Sequence, residues 1–414
     1  MSSRAIIFDD NGLVKDVDIS KPSLTFVKDE SGPNQDVTCA CVLPGPDVRF
    51  VASSIIGSIS MYALTQDHLR WSEISLLEVD DVAVDLRIVQ DDLIAVTESE
   101  VHFLSFDDSK LKLNNSVAIP DGPISNARLL NVGGVDSSAL VLLSKADQPP
   151  QVFDYKLNKI IWSGKNGPDT PLGLKATFDI QAMAWLSPTV FAAGDTTGKL
   201  RFYDISQQRK PMIEMPVFEL FNVTNHYTGT SGMGQTRPLK RLELSKDGLT
   251  LFVGDTYGCV LALDLSKPRD NNGLVKLPQS DTKIGTAAHR DFCRKLIPMQ
   301  YCLSGIMGSV RDIAVTDSKI FVVSAGRYAY CFDIKSKGKK FDKMFMKQKL
   351  TYCLPIESAV VAEPSPDKAD SADSEADEQE IDEVVGMLDA QADQEPMTKS
   401  KRRRLRKGAS SKPH

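Results

Sequence analysis

The side chains best equipped for reaction chemistry in this sequence are scattered, and no grouping of them completes a reactive set. His289-Arg290-Asp291 has the order of a kinase catalytic loop, but no glycine-rich loop and strand lysine accompany it. His289, Cys293 and Cys302 offer metal-ligating atoms without a fourth ligand at a suitable spacing. The loop Gly229 to Thr236, GTSGMGQT, comes near a phosphate-binding loop, yet Gln235 stands where the phosphate-reaching lysine is needed. That loop also leads into a strand pattern rather than opening a helix. The other histidines, His68, His102, His226 and His414, are dispersed, and no Ser-His-Asp or paired-carboxylate arrangement stands out. The reading is a chain without catalytic residues, bound metal, cofactor or small-molecule substrate.

Charge, by contrast, is concentrated. The net charge of -6 averages regions of opposite sign. Of two long connections, Pro211 to Arg237 and Lys267 to Leu303, the second carries Arg269, Lys276, Lys283, Arg290, Arg294 and Lys295, and long loops on a rigid scaffold are where binding concentrates. These connections and the segments around them supply the candidate contacts for partner proteins or RNA: Lys165, Arg209, Lys210, Arg237, Lys240, Arg241, Arg290, Arg294, Lys295 and Arg311.

Past residue 361 the composition changes. Residues 363–395 are acidic and poor in aromatics, which predicts a disordered tail over 362–414. Within it Ile381, Val384, Val385 and Leu388 fall on one helical face, too short to be stable alone but suited to folding on a partner. Ser371 and Ser374 lie among carboxylates and are candidates for acid-directed phosphorylation. The basic stretch 399–412 carries Lys399, Lys401, Arg402, Arg403, Arg404, Arg406 and Lys407, a density that reads as a nuclear or nucleolar address and an RNA-phosphate contact.

The elements that must carry these groups are written as a repeat. Gly248 to Ser266, GLTLFVGDTYGCVLALDLS, reads as strand, glycine turn, strand, ending on an aspartate. Val190 to Ser206 and Ile320 to Ser336 repeat it closely; Phe50 to Leu64, Leu93 to Phe106 and Ala139 to Leu157 repeat it loosely. Inner strands are expected at Asp36 to Leu43, Val82 to Val89, Ile124 to Asn131, Asp179 to Leu186, Leu239 to Ser245 and Ser309 to Thr316. Arg4 to Ser20 looks like the outer half of a further blade, with Met344 to Ile356 supplying its inner half. Recurrence at this period marks a radial fold. The expectation is an all-β, seven-bladed WD40-type propeller over 1–361, closed by pairing of its N- and C-terminal strands. No apolar run is long enough to span a membrane and no secretory signal is evident, so thiols are expected to stay reduced.

Several segments carry a resemblance. Trp162 to Asn166, followed by Asp169, Leu172 and Leu174, then RFYDISQQRKP (Arg201 to Pro211), is similar to the WD repeat-containing protein 74 / Nop-seven-associated family of nucleolar assembly factors for the large ribosomal subunit. So are RPLKRLELS (Arg237 to Ser245), VGDTYGCVLALDL (Val253 to Leu265), GIMGSVRDIAV (Gly305 to Val315) and KQKLTYCLP (Lys347 to Pro355). The resemblance implies a scaffold on pre-60S particles in the nucleolus, among assembly factors and ribosomal proteins, with pre-rRNA as a further partner. It also implies release by a nuclear AAA-type ATPase related to the valosin-containing protein. The strands end in Tyr203-Asp204, Leu263-Asp264 and Phe332-Asp333 rather than Trp-Asp, and no Gly-His pairs open the blades. Stability is therefore expected to rest mainly on apolar packing between sheets. The competing reading is a general WD-repeat adaptor, such as a ubiquitin-ligase substrate receptor.

Overall fold

A tight turn that aims two strands back at each other needs a left-handed residue and something to hold its amides, and this chain provides both repeatedly. The structure, a computed structural model, describes residues 3–28, 35–45, 47–65, 70–89, 92–107, 109–130, 139–165, 179–223, 236–279 and 282–356. The chain divides into two units, Met1–Val361 and Ala362–His414, and every described residue lies in the first.

In three blades the second strand ends on an aspartate followed three residues later by glycine: Asp9 and Gly12, Asp195 and Gly198, Asp255 and Gly258. The glycines sit at φ 79, 81 and 76, conformations that side chains resist. Each aspartate Oδ1 accepts from backbone amides two and four residues on: Asn11 and Leu13, Thr197 and Lys199, Tyr257 and Cys259. The other oxygen takes a cation, 2.7 Å from Lys15 Nζ, Arg201 Nη1 or Arg237 Nε.

Seven four-stranded antiparallel sheets follow among the described residues. The first blade runs Val37–Leu43, Arg49–Ser54, Ser58–Thr65 and Arg70–Glu78; the second Ala83–Val89, Asp92–Thr97, Glu100–Phe106 and Leu111–Ala118. The third comprises Asn126–Leu129, Leu140–Ser144, Gln151–Asp154 and Lys159–Ser163, and the fourth Ile180–Trp185, Val190–Asp195, Lys199–Asp204 and Ile213–Pro216. The fifth has Leu239–Leu244, Thr250–Asp255, Val260–Asp264 and Met299–Leu303; the sixth Val310–Val315, Lys319–Ser324, Tyr328–Asp333 and Phe341–Phe345. Leu350–Pro355 then pairs with Arg4–Asp9, and Val14–Asp18 and Ser23–Lys28 complete the closing blade. The chain is a seven-bladed β-propeller.

Both faces of the two middle strands of each blade are largely buried, because successive side chains point into opposite inter-blade layers. In Arg4–Asp9, Ala5 and Ile7 pack with Phe321 and Cys331 of the sixth blade, whereas Ile6 and Phe8 pack with Phe50 and Tyr62 of the first. Seven such apolar clusters, each drawn from two neighbouring blades, make a ring-shaped core. Apolar packing between sheets thus makes up the core, and the buried aspartate-cation turns add to it.

The structure differs from the sequence reading in three places. The closing inner strand begins at Leu350, while Met344 and Phe345 belong to the outer strand of the sixth blade. The closing blade takes three strands from the N-terminus and one from the C-terminus, not two and two. The two long connections are not plain loops: they hold the outer strands Ile213–Pro216 and Met299–Leu303 and two helices, α1 (Val217–Leu220) and α2 (Ala287–Leu296).

Candidate partner-binding surface

The resemblance-bearing segments of the third and fourth blades meet at one corner. The outer strand Lys159–Ser163 is aimed by the turn before it, where Asp154 Oδ1 accepts from the amides of Lys156 and Leu157 and Asn158 takes the left-handed φ of 49. A bulge opposite Val152 and Phe153 throws Ile161 outward, 44% exposed, and turns Trp162 inward against Phe191 and Tyr203, with ring centroids 5.6 and 5.8 Å apart. Gly164 follows against Pro149 and Pro150, where a Cβ would crowd both rings. The next residue, Lys165, donates its amide to the Arg209 carbonyl at 2.8 Å, and Arg209 Nε donates to the Ser163 carbonyl at 2.5 Å.

Arg209 is delivered by a second aspartate-held turn. Asp204 Oδ1 accepts from the amide and hydroxyl of Ser206, and Oδ2 accepts from Gln207 Nε2 at 2.7 Å. Lys165, Arg209 and Lys210 are consequently all exposed at one corner. A cavity of about 290 Å³, lined by Ile160 to Ser163 and Arg209, opens beside them. Cations around a small groove suit docking by an acidic or phosphate-bearing partner.

A second basic group lies on α2. Thr286 caps the helix by accepting from the His289 amide at 3.2 Å. Arg294 donates twice to the Leu220 carbonyl, at 3.1 and 2.9 Å, and Arg290 Nη1 lies 3.4 Å from Glu219, so both help seat the helix on α1. Lys295 and Arg311 are exposed. His289 is buried, with Nδ1 3.2 Å from the Thr282 hydroxyl, and burial pushes its pKa down.

Three of the sequence candidates are used inside the ring. Arg237 is 2% exposed, bound to Asp255 and to the Val223 carbonyl, with its guanidinium 4.2 Å above the Phe218 ring. Lys240 donates to Gln181 at 2.9 Å, and Arg241 Nε lies 2.7 Å from Asp312 with Tyr352 beneath its guanidinium. They hold blades to one another and are poorly placed to meet a partner.

Arg241 belongs to a charged network on the innermost strands that sequence reasoning missed. Arg128 lies 3.3 Å from Asp85 and 3.1 Å from Glu243, and Arg87 lies 3.3 Å from Asp85. Burial pushes the Asp85 carboxyl up, but Arg87, Arg128 and the Leu129 amide together hold it below the usual range. At Asp312 burial prevails over Arg241 and raises the pKa; at Arg128 burial and the neighbouring arginines lower it. A cavity of about 620 Å³ adjoins this network, with Arg87, Arg128, Trp185, Glu243 and Arg269 in its wall. The spacing Asp85-x-Arg87 and Arg241-x-Glu243 was the available signal, since residues two apart share one face of a strand.

Ser371, Ser374, the Ile381 to Leu388 stretch and the basic cluster of 399–412 lie outside the described residues, as do His68, His226, His414, Asp169, Leu172, Leu174 and the loop 229–235.

No protein-family model and no curated protein sequence matches the chain. Solved structures do match its shape. One described as "COPII on membranes, outer coat vertex" aligns with a TM-score of 0.52 at 10% identity, over 76% of this chain and 77% of that one. Another, "The structure of the COPII coat assembled on membranes", aligns with the same score and identity over 76% of this chain and 42% of its counterpart. Identity this low shows the propeller fold alone.

Proposed function

We propose that this protein is a non-enzymatic propeller scaffold in the assembly of the large ribosomal subunit. It docks on nucleolar precursor particles through the corner formed by Lys165, Arg209 and Lys210. Release by an AAA-type ATPase follows from the same reading. The observation that supports it most is that Trp162 to Lys165 and Arg201 to Pro211, the two most distinctive stretches of the family resemblance, are joined by two hydrogen bonds where Lys165, Arg209 and Lys210 are exposed. A shared surface of this kind is what a docking role requires; the hairpins elsewhere serve any propeller.

The test is purification of the tagged full chain from cells, with the co-purifying proteins and RNA identified. Large-subunit assembly factors and precursor rRNA are expected with the native chain, and at least fivefold less of both with Lys165→Glu/Lys210→Glu, by the charge reversal of a docking surface. Both positions are exposed, and their side chains make no hydrogen bond or ion pair among the described residues, so the fold should persist. Recovery of ubiquitin-ligase subunits without assembly factors or precursor rRNA would replace this reading with the adaptor.

A further inference from the structure

The outer strand of the sixth blade, Phe341–Phe345, and the turns around it make a dense basic surface. Between Lys335 and Lys349 the chain places seven lysines against one acidic residue, Asp342. All seven lysines are exposed, and no ion pair among the described residues engages them. This stands out in a chain whose net charge is -6.

The strand alternates its side chains, so Phe341, Lys343 and Phe345 share one face. Phe341 is 44% and Phe345 52% exposed. Neither ring is loose. Phe345 lies with its centroid 5.2 Å from Tyr328, Phe341 lies 5.1 Å from Phe332, and Lys343 Nζ sits 5.5 Å above the Tyr328 ring between them. The two exposed rings are four residues apart on one strand, a separation of about 13 Å. At the start of the strand a cavity of about 420 Å³ is lined by Lys319, Lys339 and Lys340, with Asp333 and Asp342.

Lysines on an outermost strand have an ordinary use, which is to discourage edge-to-edge pairing with another sheet. That use calls for charge alone and gives no reason to hold half-exposed aromatic rings between the charges. Rings fixed by neighbours, spaced along a strand and flanked by cations form a stacking platform with phosphate partners at hand. An acidic polypeptide would satisfy the lysines but leave the rings without a matching flat face.

We infer that this edge binds single-stranded RNA, unpaired bases stacking on Phe341 and Phe345 while Lys339, Lys340, Lys343 and their neighbours meet the phosphates. The single strand follows from the rings, because a duplex keeps its base faces covered. The choice of RNA over DNA rests on the proposed function; the choice of nucleic acid rests on the edge itself.

The test measures binding of a labelled oligouridylate of about twelve nucleotides, within the usual site sizes for such surfaces, by fluorescence anisotropy across a salt series. The protein is the full chain with the seven basic residues of 399–407 changed to Gln, so that the tail does not mask the blade. Lys339→Glu/Lys340→Glu/Lys343→Glu is expected to weaken binding at least tenfold. It should also flatten the salt dependence by roughly 2 in log-log slope, from about 0.7 per lost phosphate contact. Phe341→Ala/Phe345→Ala should weaken binding roughly tenfold or more with the slope unchanged. Thermal melts accompany each variant, and Phe341→Leu/Phe345→Leu, which keeps apolar bulk but removes the flat faces, should lose affinity similarly if alanine unfolds the blade.

Failure of the native edge to bind the oligomer overturns the inference, as does binding that neither set of changes weakens. If the lysine changes matter but the aromatic ones do not, and polyglutamate competes as well as RNA, the occupant is an acidic polypeptide and the RNA assignment falls. Tighter binding of the matching oligothymidylate overturns the choice of RNA. Because the readout uses purified protein, these failures are separable from loss of co-purifying assembly factors in cells.

Discussion

Asp85 shows how one buried carboxylate binds two blades. It extends from the innermost strand of the second blade, its Oδ2 accepts from the Leu129 amide of the third blade at 2.7 Å, and its Oδ1 faces Arg87 and Arg128. A partnered charge of this kind is costly to break, because removing one member strands the others without water. Burial alone would raise the carboxyl, but the two arginines and the amide outweigh it, so the folded pKa lies below the unfolded one. The stabilisation is therefore complete above the ordinary carboxylate range of about 4 and is lost as pH falls through the lower folded value. Asp312 acts in the opposite sense: its raised pKa means a contribution that is lost as pH climbs through it, so the wild-type curve is a difference of the two. Replacing Asp85 isolates its part. Asp85→Asn should cost about 3 kcal/mol near pH 7. Its stability should also fall less steeply than wild type between about pH 5 and about pH 3. Denaturant titrations of both proteins across that window check this, and parallel curves would refute it.

Among the elements, the hairpins built on a glycine turn are where sequence spoke most clearly, and Gly258 is the most demanding of those glycines. It sits at φ 76 directly beneath the next blade, where an added methyl group would collide with the Ile306 carbonyl oxygen. Gly273 has the same φ of 76 but faces open space. The left-handed conformation alone should make Gly273→Ala cost about 1 to 2 kcal/mol. Gly258→Ala must in addition displace backbone, and more than about 3 kcal/mol is expected for it. Thermal melts of the two variants compare them at equal backbone conformation; equal losses would mean the fifth and sixth blades yield easily at their contact. The six inner strands and six hairpins were legible because apolar residues recur on them at every position or every second one. The outer strands were not. Leu111–Ala118 is exposed along nearly its whole length and Phe341–Phe345 along most of it, so no burial pattern wrote them into the sequence. The same physics split the candidate cations. Lys165 and Arg209 look no different in sequence from Arg237, and only the position of Asp255 and Phe218 in space takes Arg237 into the interior.

Closure is the property of the whole ring that no single blade contains. Leu350–Pro355 pairs with Arg4–Asp9 in the register Ile6 with Leu354 and Ile7 with Cys353, joining the two ends of the described chain in one sheet. Its side chains serve two layers at once: Leu350 and Cys353 enter the cluster shared with the sixth blade, and Leu354 and Ile356 enter the one shared with the first. Removing this strand would expose apolar positions on both sides and leave Arg4–Asp9 as a bare inner edge, the geometry that recruits other chains. A chain ending after Lys349 is therefore expected to lose its cooperative thermal transition and to associate, whereas one ending after Ile356 melts as a monomer. Addition of a peptide spanning 350–356 should restore part of the transition, because ring closure by pairing does not require a covalent joint on its last strand. If the shorter chain melted as cooperatively as the longer one, stability would reside within adjacent blade pairs, as in an open stack of repeats, and the ring would owe nothing to its closing strand.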